Sequence, residues 1–264
     1  MSGYKFFDKG FNKGKFLVLF DLNCVLGYRQ NSKVIQKELK SLGNVSKSVN
    51  EKLVKPHIIE KGYSTYYRPN SEELLHALFN EKKVFFDVGV WSNQSKIETE
   101  IQINHFFKSL KYSLKCVLYT DNNKVSNNIN SYDNSDNIFN STINNVLDNS
   151  NNINNNNIEN NLLPKSIKRN LNIIFKDYPE YNEKNTVMIS NFYNLDDRYI
   201  NNDIVIPLYH PVKGSTNFFR DAHMYYLVEY LSFLYSLYNT NNSKFKLINK
   251  TNYLLFNIIL FHSW

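Results

Sequence analysis

The residues of this chain best suited to chemistry stand at the ends of apolar runs. Lys15-Phe-Leu-Val-Leu-Phe-Asp21-Leu-Asn23-Cys-Val25 places an aspartate directly after five apolar residues, with a polar side chain two positions later. Val88-Gly-Val-Trp91-Ser92 ends a second run on a hydroxyl, and Thr186-Val-Met-Ile-Ser190-Asn191 ends a third on a hydroxyl and an amide. A carboxylate at such a point can attack an electrophile or hold a hard cation, and a hydroxyl can donate to an anion. Arg68 before Pro69, and the pair Lys168 and Arg169, supply cations. Each has an ordinary reading as well. Asp21 and Asn191 suit turns, Ser92 could cap a helix starting near Lys96, Arg68 could anchor a loop, and Lys168 and Arg169 could be solvated.

The elements that must position these groups alternate. Residues 16–20 read as a strand buried on both faces, which would put Asp21 at its carboxyl end, where open α/β sheets gather their ligands. Val84–Trp91 reads as a second strand. It follows a helix opening at Pro69-Asn70-Ser-Glu-Glu73, where Asn70 and Glu73 have capping-box spacing. Lys96–Leu110 reads as a helix, Cys116–Tyr119, Thr186–Ile189 and Ile204–Leu208 as strands, and 165–177 as a helix. Met224, Leu227, Val228, Leu231, Leu234, Tyr235 and Tyr238 keep helical spacing. Alternation of this kind predicts an α/β fold, a doubly wound parallel sheet of about five strands flanked by helices.

At 264 residues with a formal charge of +7, the chain has room for one α/β domain with a full core, much of it from nineteen Tyr and nineteen Phe. Lys33, Lys37, Lys40, Lys47, Lys52, Lys55 and Lys61 load one segment. Such a spread reads first as a solvated surface, and otherwise as a basic rim for phosphorylated or acidic partners. No module for direct nucleic-acid binding is visible. Cys24 and Cys116 lack C-x-x-C spacing, which suits free thiols in a reducing compartment. Cys24 and Arg29 are one residue too close for a cysteine-phosphatase loop, and the six histidines form no zinc-ligand pairs. The first residues have no long apolar stretch, so a nuclear or cytoplasmic setting is expected rather than secretion. Tyr253–Phe261 is far shorter than the ~20 residues that span a bilayer, so no membrane is expected. From about 122 to 161 the sequence is roughly half Asn, which predicts a disordered insertion. The expected division is 1–121 and 162–239 as two parts of one domain, 122–161 as the insertion and 240–264 as a tail.

In that order, Asp21-x-Asn23-x-Val25, Arg68-Pro69, Val90-Trp91-Ser92, a cation, and Ser190-Asn191 resemble the motifs of the FCP/SCP-type phosphatases, the NLI-interacting-factor-like branch of the haloacid-dehalogenase (HAD) superfamily. The resemblance covers roughly residues 15–235 apart from the Asn-rich tract. It implies a protein serine/threonine phosphatase whose nucleophile, Asp21, forms an aspartyl-phosphate. It implies Mg²⁺ held by Asp21, the main-chain carbonyl of Asn23 and Asn191, with Ser92 donating to phosphate. The phosphate-binding cation falls at Arg169, or at Lys168 after a slip of one residue. A phosphorylated protein segment is the implied partner, the C-terminal domain of RNA polymerase II being a substrate of known members. Two positions depart from the pattern. Asn23 stands where the family has its acid–base aspartate, and Ser190 where it has the first acid of its last motif. Asp196 and Asp197 lie close enough in sequence to compensate. A weakened phosphatase is the first reading, and a pseudophosphatase that binds phosphorylated segments without turnover is the second.

Overall fold

The computed structural model describes residues 14–41, 55–121, 124–127, 168–211 and 221–239. Its main sheet has six strands in the order β7-β6-β5-β1-β8-β9: β1 (Phe16–Phe20), β5 (Phe86–Trp91), β6 (Val117–Asp121), β7 (Lys124–Asn127), β8 (Thr186–Ser190) and β9 (Asp203–Val205). Five of these run parallel, and only β7 is antiparallel, against β6. The doubly wound parallel sheet expected from the sequence is present. The antiparallel β7 lies inside the stretch expected to be an insertion; the rest of the Asn-rich tract and the tail 240–264 lie outside the described residues.

β1 is central because its side chains are apolar on both faces. Phe16, Val18 and Phe20 join Leu74, Ile103, Leu227 and Leu231 in one cluster, while Leu17 and Leu19 join Met188, Leu171, Ile174 and Tyr181 in another. Each fully buried side chain of this size contributes about 1.5–3 kcal/mol, so neither face can be left to solvent. The first cluster is covered by α2 (Ser71–His76), α3 (Lys96–Phe106) and α5 (His223–Asn239), the second by α4 (Asn172–Asp177) and the loop around Leu195. α5 matches the periodicity of its sequence, with Met224, Leu227, Leu231 and Leu234 buried.

A second sheet, β2-β4-β3, was not apparent from the sequence. It is antiparallel and consists of β2 (Gly27–Asn31), β3 (Ile58–Glu60) and β4 (Tyr63–Tyr67). The chain enters it by a tight reversal in which Cys24 takes a left-handed φ of 63° and its N–H reaches the Gly27 carbonyl at 2.7 Å. Gly27 fits because a Cβ there would lie 2.5 Å from both the Phe106 ring and the Tyr66 carbonyl. Arg29 ties this sheet to the first turn of α3 through Glu98. Helix α1 (Ser32–Ser41) follows β2 and turns Lys33, Lys37 and Lys40 to solvent.

Three local expectations are corrected. Asn70 precedes α2 with a left-handed φ of 62° and no capping bond, its amide donating instead to the Asp221 carbonyl at 3.2 Å. α3 ends at Phe106 and gives way to a 3₁₀ turn, Lys108–Ser113, short of the helix expected to Leu110. Between 168 and 177 only Asn172–Asp177 is helical. Arg169 lies in extended chain, bridged to Leu195, with its N–H on the Asn194 carbonyl at 2.7 Å and its own carbonyl accepting from Asp196 N–H at 2.8 Å. These cross-chain bonds replace the helical ones.

Candidate active site

β1 leads to β5 and β6 on one side, and the chain then returns to β8 and β9 on the other, so the topological switch point lies between β1 and β8. Crevices outside the carboxyl ends of strands form at such points. The register pairs Phe20 with Val90 and with Ile189, and Asp21 N–H donates to the Ile189 carbonyl at 2.9 Å. Asp21, Trp91-Ser92 and Ser190-Asn191 therefore reach one edge together.

Asp21 is 6% exposed, and both its carboxylate oxygens are engaged. Oδ1 accepts from Leu22 N–H at 2.8 Å, and Oδ2 accepts from Arg169 Nη2 at 2.9 Å. The guanidinium, itself 3% exposed, also donates from Nε to Asn93 Oδ1 at 3.1 Å and from Nη1 to Met188 Sδ at 3.8 Å. It lies 5.9 Å from the centre of the Trp91 ring, within cation–π range. Lys168 is exposed and pairs with Asp197 on the surface, away from Asp21. Of the two cations offered by the sequence, the fold brings Arg169 to the aspartate.

The remaining candidates divide. Ser92 is fully buried, and its Oγ accepts from Gln94 N–H at 3.1 Å; the cap of α3 is Ser95, whose Oγ accepts from Glu98 N–H at 3.3 Å. Asn23 turns its Oδ1 back to accept from Arg29 N–H at 3.3 Å, so it braces the reversal into β2. Arg68 is structural, donating from Nε to Asp221 at 2.8 Å and from Nη1 to the Val25 carbonyl at 3.4 Å. Asp196 caps the following 3₁₀ turn and pairs with Arg198, while Asp197 pairs with Lys168, so neither takes the place of the acid that the resemblance implies at 190. Burial pushes the Cys24 thiol up to about 11 and the Cys116 thiol up to about 12, leaving both un-ionised at neutral pH.

Two residues that the sequence did not single out belong to the site. Asn93, next to Ser92, orients Arg169. Asp203, at the start of β9, is 1% exposed and meets Ser190 from behind, with its Oδ1 2.6 Å from Ser190 Oγ. Burial raises its carboxyl above the usual range, opposed by hydrogen bonds from Ser190, Asn194 and Leu195 and by Arg169. A lone aspartate opening an apolar segment gave no signal of this.

The donors fit Mg²⁺, the cation implied by the resemblance, in one respect. Asn191 Oδ1 is buried with no hydrogen-bond partner among the described residues, an acceptor that a hard cation would satisfy. The charge available is small. No three His, Cys, Asp or Glu residues gather into a metal-holding group among the described residues, and the Asp21 carboxylate is already met by a guanidinium.

The chain matches no protein-family profile and no curated protein. Among solved structures it is similar to a variant of the fission yeast RNA polymerase II CTD phosphatase Fcp1 bound to beryllium fluoride, with 12% identity over 75% of this chain and 43% of that chain and a TM-score of 0.42. It is also similar to a structure of Fcp1 described as an essential RNA polymerase II CTD phosphatase, with 12% identity, 89% and 55% of the two chains covered and a TM-score of 0.41. The matched region spans about half the length of those chains. At this level of likeness, function has to be argued from the geometry around Asp21.

Proposed function

We propose that this protein is a serine/threonine phosphatase of the HAD aspartyl-phosphate type, weakened by Asn23 and Ser190. One observation carries the reading: a carboxylate and a guanidinium 148 residues apart in sequence meet at 2.9 Å, both buried, at the switch point of a parallel sheet. An arginine beside a nucleophilic carboxylate can bind the phosphoryl group and meet its charge in transfer. An Asp21 oxygen attacks phosphorus, and the bond to the leaving oxygen breaks. Ser92 and Arg169 hold the transferred group, and Asn93 keeps the guanidinium aimed. Asp21, the Asn23 carbonyl and Asn191 would hold Mg²⁺, which when bound supplies charge neutralisation. Asn23 cannot protonate the leaving alkoxide or deprotonate water, a loss typically of ~10²–10⁴-fold. Aryl phosphates, whose leaving groups need little protonation, are therefore the substrates of choice for detecting the first step. The natural substrate in this reading is a phosphorylated protein segment in the nucleus or cytoplasm, with the RNA polymerase II C-terminal domain as the first peptide to try.

The second reading, a pseudophosphatase that binds phosphorylated segments, is favoured by the closed state of Asp21 and by the use of the Asn23 oxygen as a brace. Incubation with an aryl phosphate and Mg²⁺ separates the two. The phosphatase reading expects a hydroxylamine-labile phosphoryl adduct on the peptide containing Asp21, absent from Asp21→Asn. Phosphopeptide binding by calorimetry with no adduct and no phosphate release selects the binding module. Failure to bind phosphopeptide, together with no adduct, removes both.

A further inference from the structure

The loop from Ser190 to Asp196 is what delivers Arg169, and it is organised around one carboxylate. Asp203 Oδ2 accepts from Asn194 N–H at 2.8 Å and Leu195 N–H at 3.4 Å, while its Oδ1 lies 2.6 Å from Ser190 Oγ. The same hydroxyl lies 2.7 Å from the Phe192 carbonyl oxygen, and its single proton serves one of these two acceptors at a time, so Ser190 links Asp203 to the Phe192 end of the turn. The Asn194 carbonyl then receives Arg169 N–H at 2.7 Å, and Asp196 N–H closes the bridge on the Arg169 carbonyl at 2.8 Å. The path from Asp203 to Arg169 is continuous in hydrogen bonds.

We infer that Asp203 is a positioning residue, fixing the loop that aims the Arg169 guanidinium at Asp21. The anion-binding consequence rests on the function proposed above; the positioning itself does not. Position 190 carries a hydroxyl, and the carboxylate beside it comes from the neighbouring strand β9, where it acts on the backbone of the site. Truncation at 203 frees two N–H groups and the Ser190 hydroxyl, and the 194–196 segment loses the shape that bridges Arg169. Asparagine at 203 keeps it, because its amide oxygen can accept from Asn194 N–H while its NH₂ donates to Ser190 Oγ.

The test uses two guanidinium Nε–H groups in one molecule. Arg169 Nε donates to Asn93, whereas Arg68 Nε donates to Asp221 and has no bond to the 190–196 loop. Asn202 is buried beside Asp203 but donates to the Glu183 and Thr186 carbonyls, so Asn202→Ala perturbs packing without touching the loop. Hydrogen exchange by ¹⁵N NMR is expected to show Arg169 Nε–H accelerated at least about tenfold in Asp203→Ala. Arg68 should be unchanged, and both groups should be protected in Asp203→Asn and Asn202→Ala. Should Asp203→Ala not fold, Ser190→Ala, which releases the Phe192 carbonyl, is expected to accelerate Arg169 alone. Protection of Arg169 in the folded truncation, or equal acceleration of Arg68, overturns the assignment. In the same samples inorganic phosphate should bind at least about tenfold more weakly to Asp203→Ala, with Asp203→Asn near wild type. Wild type that binds no phosphate would defeat the proposed function, while the exchange data decide the positioning role separately.

Discussion

Replacing Arg169 by Met tests whether the Asp21–Arg169 pair is as buried and as singular as it looks. The substitution keeps an unbranched side chain and removes the charge and the donors to Asp21, Asn93 and Met188. What remains is a carboxylate whose side chain is 8% exposed, with Leu22 N–H as its other hydrogen bond. Removing one partner of a buried pair costs about 3–5 kcal/mol, because the survivor keeps its desolvation penalty without compensation. Against an m-value of about 2 kcal/mol per molar urea, the midpoint should fall by about 1.5–2.5 M. Lys168→Met is the matched control. Its partner Asp197 has 82% side-chain exposure, and surface pairs contribute at most about 1 kcal/mol, so the midpoint should move by less than about 0.5 M. Arg169→Lys, which keeps the charge but not the planar fork, should fall between. Equal shifts for the two methionine variants, or an Arg169→Met midpoint within about 0.3 M of wild type, would show that the pair is not formed in solution.

Asp203→Asn should be more stable than wild type at neutral pH. A carboxyl raised by burial favours folding below its unfolded pKa of about 4, and that contribution is lost as pH rises through the folded value. The advantage of the amide should therefore vanish in thermal melts at acid pH, and a variant less stable at both pH values would contradict this. Under the proposed function, an acid at 190 calls for the same change: Ser190→Asp alone would set two carboxylates where Oγ and Asp203 Oδ1 are now 2.6 Å apart. Asn23→Asp with Ser190→Asp and Asp203→Asn should raise phosphoserine-peptide hydrolysis by at least about 10²-fold, and exceed the combination that retains Asp203. Neither Cys24 nor Cys116 should be alkylated by iodoacetamide at neutral pH until the protein is unfolded, since both thiols titrate near 11–12; rapid mass gain on the native protein would refute this.

The central strands were legible because a strand buried on both faces is written mostly in apolar residues: 16–20 is an unbroken run, 86–91 is apolar apart from Asp87 and Gly89, and 186–190 is apolar between Thr186 and Ser190. Their polar ends announced the site for the same reason, since a carboxylate directly after such a run has only the sheet edge to occupy. The small sheet was not legible. Gly27-Tyr-Arg-Gln-Asn31 and Tyr63-Ser-Thr-Tyr-Tyr67 mix polar and aromatic residues without a clean alternation, and their pairing is fixed by the Cys24 reversal and Gly27 packing. The helix expected over 165–177 would include Arg169, but its extended conformation is set by Asn194 and Asp196, about 25 residues away, and only the fold shows that register. Asp203 was invisible for a related reason: its importance lies in which backbone groups surround it, and sequence records none of them.

Set against the motifs it resembles, the site looks depleted in carboxylates at 23 and at 190, yet the two positions differ in kind. Under the proposed function, no described residue takes over an acid–base role at 23, since Asn23 spends its oxygen on Arg29 N–H and can neither give nor take a proton. At 190 a carboxylate stands beside the hydroxyl, on the neighbouring strand β9. Asp203 reaches the same hydroxyl, organises the loop and contributes its field to Arg169. Under the proposed function, proton transfer is the step that Asn23 cannot supply, whereas Asp203 holds the geometry that would present Arg169 and Asp21 to a phosphoryl group. A site altered in that sense should lose rate by the ~10²–10⁴ associated with one acid–base group while still capturing the anion. That is why phosphate affinity and turnover have to be measured separately on this protein: absence of turnover leaves anion capture standing, whereas absence of phosphate binding removes the proposed function.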